Sequence, residues 1–214
     1  DGPATSSRGQ ATAGSPGYGI GGGIYAEVVR GVKFEKDETQ PVIRGVNSAS
    51  QEMFEAMGVS SKGASQLVAQ RSGKEYASVN DASTRAKLSF TDVKKLKSAV
   101  PNFTSFFPKS GEKPAANSTF RFQDTKLAGG TAQAVDITRT KMEQMFSAIK
   151  SASSFELQHG AGLSSSVTNS LRSTAKNSSD LYGVVSKASM RLDDLKKLRD
   201  HNFVNQLSGT QKTK

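Results

Sequence analysis

Only 43 of the 214 residues are Leu, Ile, Val or Phe, while the chain carries a formal net charge of +10. Scarce strong apolar side chains combined with high net charge mark the composition at which chains stop folding alone. Ordering one residue costs roughly 1–2 kcal/mol of backbone entropy, which burial of apolar surface has to offset. On that balance the chain is expected to lack a sufficient core of its own and to obtain its burial from a partner. The expected fold class is mainly α with long irregular segments: an extended, non-globular, linker-like chain.

The charge excess has a distribution of its own. Residues 1–47 are neutral, whereas 48–130 and 131–214 each hold twelve basic and seven acidic side chains. Contacts with acidic partners are therefore expected along the chain rather than at one basic tail. Acidic proteins of a large multi-subunit complex are the first reading of that partner, and nucleic acid is the alternative. The chain has no Cys, which excludes disulfides, thiolate metal sites and cofactors attached through sulfur. No apolar run approaches the roughly 20 residues a membrane-spanning helix needs. A start at Asp1 rather than Met is what a processed or a trimmed chain would show, and it leaves the compartment open.

Along the chain, residues 1–23 are rich in Gly and Ser and read as an extended arm. Residues 24–46 read as strand-like, because Ile24, Ala26, Val28, Val32 and Phe34 share one parity and Val42-Ile43-Arg44 follows Pro41. Gly31 interrupts that strand and suggests a bulge or a close backbone approach. Residues 47–100 carry short helical patterns: one from Ser48 to a stop at Gly58, one over 63–71, and one from Thr91 to Pro101. Residues 101–130 are punctuated by Pro101, Pro108 and Pro114 and read as irregular. Residues 131–214 read as a helical region, with one helix over 133–154 and a long C-terminal helix over about 164–206. In the latter, Leu181, Val185, Ala188, Leu192 and Leu195 recur at 4,3,4,3 spacing and form a coiled-coil-like seam. A kink near Gly183, or fraying before it, is expected.

Catalytic patterns are sparse. Gly17-Tyr18-Gly19-Ile20-Gly21-Gly22 has the letters of a dinucleotide fingerprint, but a strand-like segment follows it where the chemistry needs a helix. His159 and His201 lack metal-ligand spacing, no Gly-x-Ser-x-Gly elbow occurs, and Asp193-Asp194 and Asp37-Glu38 diverge as sequence neighbours. The chain is accordingly expected not to be an enzyme. The aromatic pattern is richer. Phe103, Phe106 and Phe107 lie near Lys109 and Lys113, and Phe120-Arg121-Phe122 repeats the interleaving. With Tyr18, Ile20, Tyr25 and Phe34 these residues are expected to dock into partner pockets. Stacking on nucleic-acid bases is the second reading.

The arm Ser15–Tyr25 and the dispersed Phe and Lys/Arg positions of 90–122, in a basic chain without Cys, resemble the colourless linker polypeptides of red-algal phycobilisomes. That resemblance implies a non-enzymatic structural linker that threads through acidic, bilin-bearing rings on the stromal side of chloroplast thylakoids. It would hold no bilin covalently, though it would touch chromophores bound to its partners. The other reading of the same features is an internal virion or nucleic-acid packaging protein that neutralises phosphate through dispersed Lys and Arg.

Overall fold

Arg30 and Gly31 both adopt positive φ, 48° and 81°, the backbone of a tight turn whose twist suits antiparallel strands. They join β1 (Glu27–Val29) to β2 (Val32–Phe34) as a hairpin, with Val29 opposite Val32 and Glu27 opposite Phe34. The expected single strand is thus folded on itself, and Gly31 marks a turn rather than a bulge. Folding at the turn also changes the parity: Val29 and Phe34 are buried, while Val28 is exposed. A computed structural model describes residues 25–109, 113–123 and 134–203. The expected Gly-rich arm, with Tyr18, Ile20 and the fingerprint-like glycines, lies outside these described residues.

Helix α1 (Lys36–Ser48) occupies the segment expected to be extended. The Glu35 side chain accepts from the Glu38 N–H, and the Glu38 carboxylate accepts from the Glu35 N–H at 2.7 Å. This reciprocal cap, with Asp37 and Glu38 in the first turn, sets the N-terminus. Pro41 lies inside the helix, and Val42, Ile43 and Val46 form its buried stripe. Packing of that stripe overrides the proline signal.

Five short helices follow: α2 (Gln51–Ala56), α3 (Ser61–Arg71), α4 (Val79–Arg85), α5 (Phe90–Ser98) and α6 (Val100–Phe106). Ser50, Ser60, Ser78 and Ser89 cap the first four through their side chains, each satisfying an N–H that the first turn leaves orphaned. The 101–130 region departs from the irregular segment expected. Pro101 sits at the start of α6, where its missing N–H costs nothing, and β3 (Thr119–Gln123) pairs antiparallel with β4 (Ala134–Thr138). The Asn102 amide completes the pattern by donating to the Arg121 carbonyl at 2.9 Å and accepting from its N–H at 2.6 Å.

Helix α7 (Arg139–Ser151) starts after β4, so the expected 133–154 helix begins as a strand. A π-helical turn (Glu156–Gly160) links it to α8 (Ser165–Lys176). The long C-terminal helix is corrected to three pieces: α8, α9 (Leu181–Lys187) and α10 (Leu192–Asp200). Caps cut it. The Asp180 carboxylate accepts from the Gly183 N–H at 2.9 Å to start α9, and Asp194 accepts from the Arg191 N–H at 3.1 Å to start α10. Gly183 is therefore an internal residue of α9, not a kink in a longer rod.

These elements share one buried cluster reaching from Val29 to Leu198. Helix α1 meets α6, α2 meets α9, and α7 meets α8. The chain is a compact α/β domain, which overturns the expectation of an extended linker threading an assembly. The apolar balance closes because Ala and Met contribute to the core. Ala49, Ala56, Ala64, Ala82, Ala99, Ala148 and Ala175 are buried, as are Met57, Met142 and Met145. Small residues let short helices approach closely, so a modest stock of large side chains fills the remaining space. None of the helices among the described residues is long and apolar enough to cross a membrane.

Candidate anion-binding site

Most residues expected to dock into a partner dock into this chain instead. Phe34, Phe103, Phe106, Phe120 and Phe122 are buried, and Phe107 is half-buried against them. Phe106 meets Phe120 edge-on at 5.4 Å, Phe120 meets Phe122 at 4.8 Å, and Tyr182 of α9 closes on Phe120 at 4.7 Å. Burial, with Asp180 nearby, pushes the Tyr182 phenol well above its ordinary range. Such edge-to-face contacts are the usual packing of aromatic cores. Arg121 is held by a two-pronged ion pair to Asp136 directly across the strand, at 2.9 and 3.0 Å. Tyr25 stands 76% exposed at the start of the hairpin. Of the seam, Leu181 and Val185 are buried on α9, Leu192 and Leu195 on α10, and Ala188 lies half-buried between them. They meet this chain's own core rather than a second helix of a coiled coil.

The histidines are apart in role. His159 is exposed and stacks on Phe155 at 4.5 Å. His201 caps the end of α10, where its Nε2 lies 4.0 Å from Glu156 Oε1, and it lies over Gly160. Among the described residues, no group of three or more His, Asp or Glu is placed to hold a metal ion.

A different set of residues converges on a cavity of about 250 Å³ between the last turns of α7 and α8, lined by Ile149, Lys150, Arg172, Ala175 and Lys176. Its apolar part is the buried pair Ile149 and Ala175. Lys150 and Lys176 are exposed at the ends of their helices, with Lys150 leaning over the Phe146 ring at 4.4 Å. Arg172 is fixed: one guanidinium nitrogen donates to the Ala152 carbonyl and to Ser154 Oγ, both at 3.1 Å. Among the described residues, none of the three cations forms an ion pair with a carboxylate.

The charge count is informative. Basic residues in a last helical turn ordinarily complement the helix dipole, about −0.5 of a charge per C-terminus. Two helix ends thus offset about one of the three positive charges and leave an excess of about two. A phosphate monoester carries roughly −1.5 to −2 at neutral pH. The volume of about 250 Å³ lies just below the roughly 300–1,000 Å³ typical of ligand pockets, room for an ionic group and part of the moiety that carries it.

Sequence reasoning missed this site. A signal was present: Arg172 and Lys176 are like charges four residues apart, an arrangement that destabilises an isolated helix. They also lie within residues 157–179, which contain no Asp or Glu. The partner cation Lys150 comes from another helix, and only the fold brings it in. No protein-family model, curated protein or solved structure matches the chain.

Proposed function

We propose that this chain is a recognition domain that takes a phosphate group of an acidic partner or ligand in the cavity between α7 and α8. The observation that carries this reading is the convergence of Lys150, Arg172 and Lys176 on one small cavity, with no carboxylate paired to them among the described residues. Arg172 supplies a positioned planar donor, since its bonds to Ala152 and Ser154 hold it before any ligand arrives. The two lysines are point charges on flexible stems that close over the anion. Among the described residues, two aliphatic side chains and three cations line the cavity and provide binding and charge neutralisation. The proposed role is binding.

Titration of the full chain with inorganic phosphate in chloride buffer tests the reading. Saturable binding is expected, weakening as ionic strength rises because the lysines are exposed. The double variant Lys150→Ala/Lys176→Ala is expected to lose affinity at least tenfold, since a hydrogen bond to a charged group contributes about 1.5–3 kcal/mol. Absence of saturable binding, or equal affinity in the double variant, would refute it.

A further inference from the structure

One residue beyond Ser154, a hydrogen-bond partner of Arg172, the chain displays an aromatic platform. Phe155 is 72% exposed, one of the few large apolar side chains left in water. It is not loosely held. Ser153 Oγ accepts from the Glu156 N–H at 3.1 Å, the Ser153 carbonyl accepts from the Leu157 N–H at 3.2 Å, and Leu157 is fully buried. The following π-helical turn carries His159 back over Phe155, with ring centroids 4.5 Å apart and planes 37° apart. Such turns are rare, and they occur frequently at functional sites. An exposed pair of flat rings held by a buried anchor is a surface on which a third ring can stack.

Its position relative to the cations follows from the chain. Ser154, whose hydroxyl accepts from the Arg172 guanidinium at 3.1 Å, is covalently joined to Phe155. Consecutive Cα atoms are 3.8 Å apart, which puts the Phe155 backbone within roughly 9 Å of the guanidinium. The cavity admits an ionic group together with part of the moiety attached to it, and the remainder of such a ligand reaches outward along the surface. A pentose spans such a gap.

Resting on the anion-binding reading above, we propose that the ligand is a nucleotide: its phosphate is held by Lys150, Arg172 and Lys176, and its base stacks on the Phe155–His159 pair. The aromatic rings of the pattern expected at 103–122 are packed in the core or half-buried against it, whereas an accessible ring beside cations occurs within 150–176. The nucleotide is either free or part of a single strand, since both present the same phosphate, sugar and base.

Calorimetric titration of the full chain with inorganic phosphate, ribose 5-phosphate, adenosine 5′-monophosphate and a short oligoadenylate separates these layers. Adenosine monophosphate is expected to bind at least about fivefold tighter than ribose 5-phosphate, the ratio that stacking of one base provides. In Phe155→Ala/His159→Ala, two exposed positions, that advantage disappears while inorganic phosphate binds as before. In Lys150→Ala/Lys176→Ala all the ligands weaken. Oligoadenylate binding tighter than the mononucleotide by tenfold or more assigns the nucleotide to a strand; equal binding assigns it to a free ligand. If phosphate and ribose phosphate bind and the base adds nothing, or if the aromatic variant keeps the full preference, the nucleotide assignment falls and the anion site stands. If inorganic phosphate fails to bind, both fall.

Discussion

Gly45 shows how tightly single positions are set. It lies inside α1, where glycine weakens a helix by roughly 0.5–1 kcal/mol relative to alanine. A Cβ there would sit 1.9 Å from Cδ1 and 2.4 Å from Cε1 of Phe103, so the ring occupies the space of the missing methyl. Helix propensity favours Gly45→Ala and packing opposes it. Overpacking of about 1–3 kcal/mol outweighs the propensity gain. The variant is expected to unfold at lower denaturant concentration, with much of the loss recovered when Phe103→Leu is added. A midpoint equal to or above that of the parent would show that the α1–α6 contact yields freely. Asp92 is a second such position. Its buried carboxylate accepts from the Ser60 N–H at 2.8 Å, from the Ser89 N–H at 3.0 Å and from Ser89 Oγ at 2.7 Å. Burial alone pushes this carboxyl up, but the combined hydrogen bonds from Ser60 and Ser89 outweigh it, and the net shift is downward. An unfolded Asp titrates near 3.9, so the folded chain holds this proton less tightly than the unfolded one. The stabilisation is complete above about pH 4 and is lost as pH falls through the lower folded value. Asp92→Asn is expected to cost about 2–3 kcal/mol at neutral pH and to remove this part of the acid loss. Denaturant titrations at pH 7 and pH 3 compare the two slopes.

At the scale of elements, the breaks between helices are made by side chains that also serve as caps. Asp180 ends the run that would join α8 to α9, because its carboxylate captures the Gly183 N–H in an extended, non-helical residue. Asp180→Ala is expected to destabilise the domain by about 0.5–2 kcal/mol, read as a lower thermal midpoint. Unchanged stability would mean that packing of Leu181 and Val184 alone fixes the break. The same residues explain what the sequence discloses. The helix expected from Thr91 to Pro101 corresponds to α5, which starts one residue earlier, behind the Ser89 cap, and ends at Ser98. The 4,3,4,3 spacing of Leu181 to Leu195 identified buried positions, yet it could not distinguish one rod from two short helices folded onto one core. The alternation at 24–34 was read through the Arg30-Gly31 turn as though the strand continued, which reversed the side of Val28. Val42-Ile43-Arg44 after Pro41 reads as an extended piece, whereas a capping box and a buried stripe support a helix that runs through the proline. The cationic cavity was least legible, because Lys150 comes from α7 and Arg172 and Lys176 from α8, and no local pattern joins them.

For the whole molecule, the decisive quantity is how much of the chain's apolar surface it covers by itself. Counting only Leu, Ile, Val and Phe leaves out the alanines and methionines that bring the short helices within contact, and with them the core runs from the hairpin to α10. The domain is therefore expected to unfold in a single cooperative thermal transition whose midpoint does not move on tenfold dilution. A transition that sharpens or rises with concentration would return the missing burial to a second molecule. The excess of positive charge works against compaction through self-repulsion, and an anion seated between α7 and α8 would relieve part of it. Ligand that binds only the folded state stabilises by RT ln(1 + [L]/Kd), about 2.7 kcal/mol at a hundredfold excess over Kd. For a domain of this size that corresponds to about 5–10 °C in midpoint. Phosphate is expected to give such a rise relative to chloride at equal ionic strength, and Lys150→Ala/Lys176→Ala to abolish the difference between the two salts. Equal rises in both salts would reduce the effect to general screening, since screening depends on ionic strength and not on which anion supplies it.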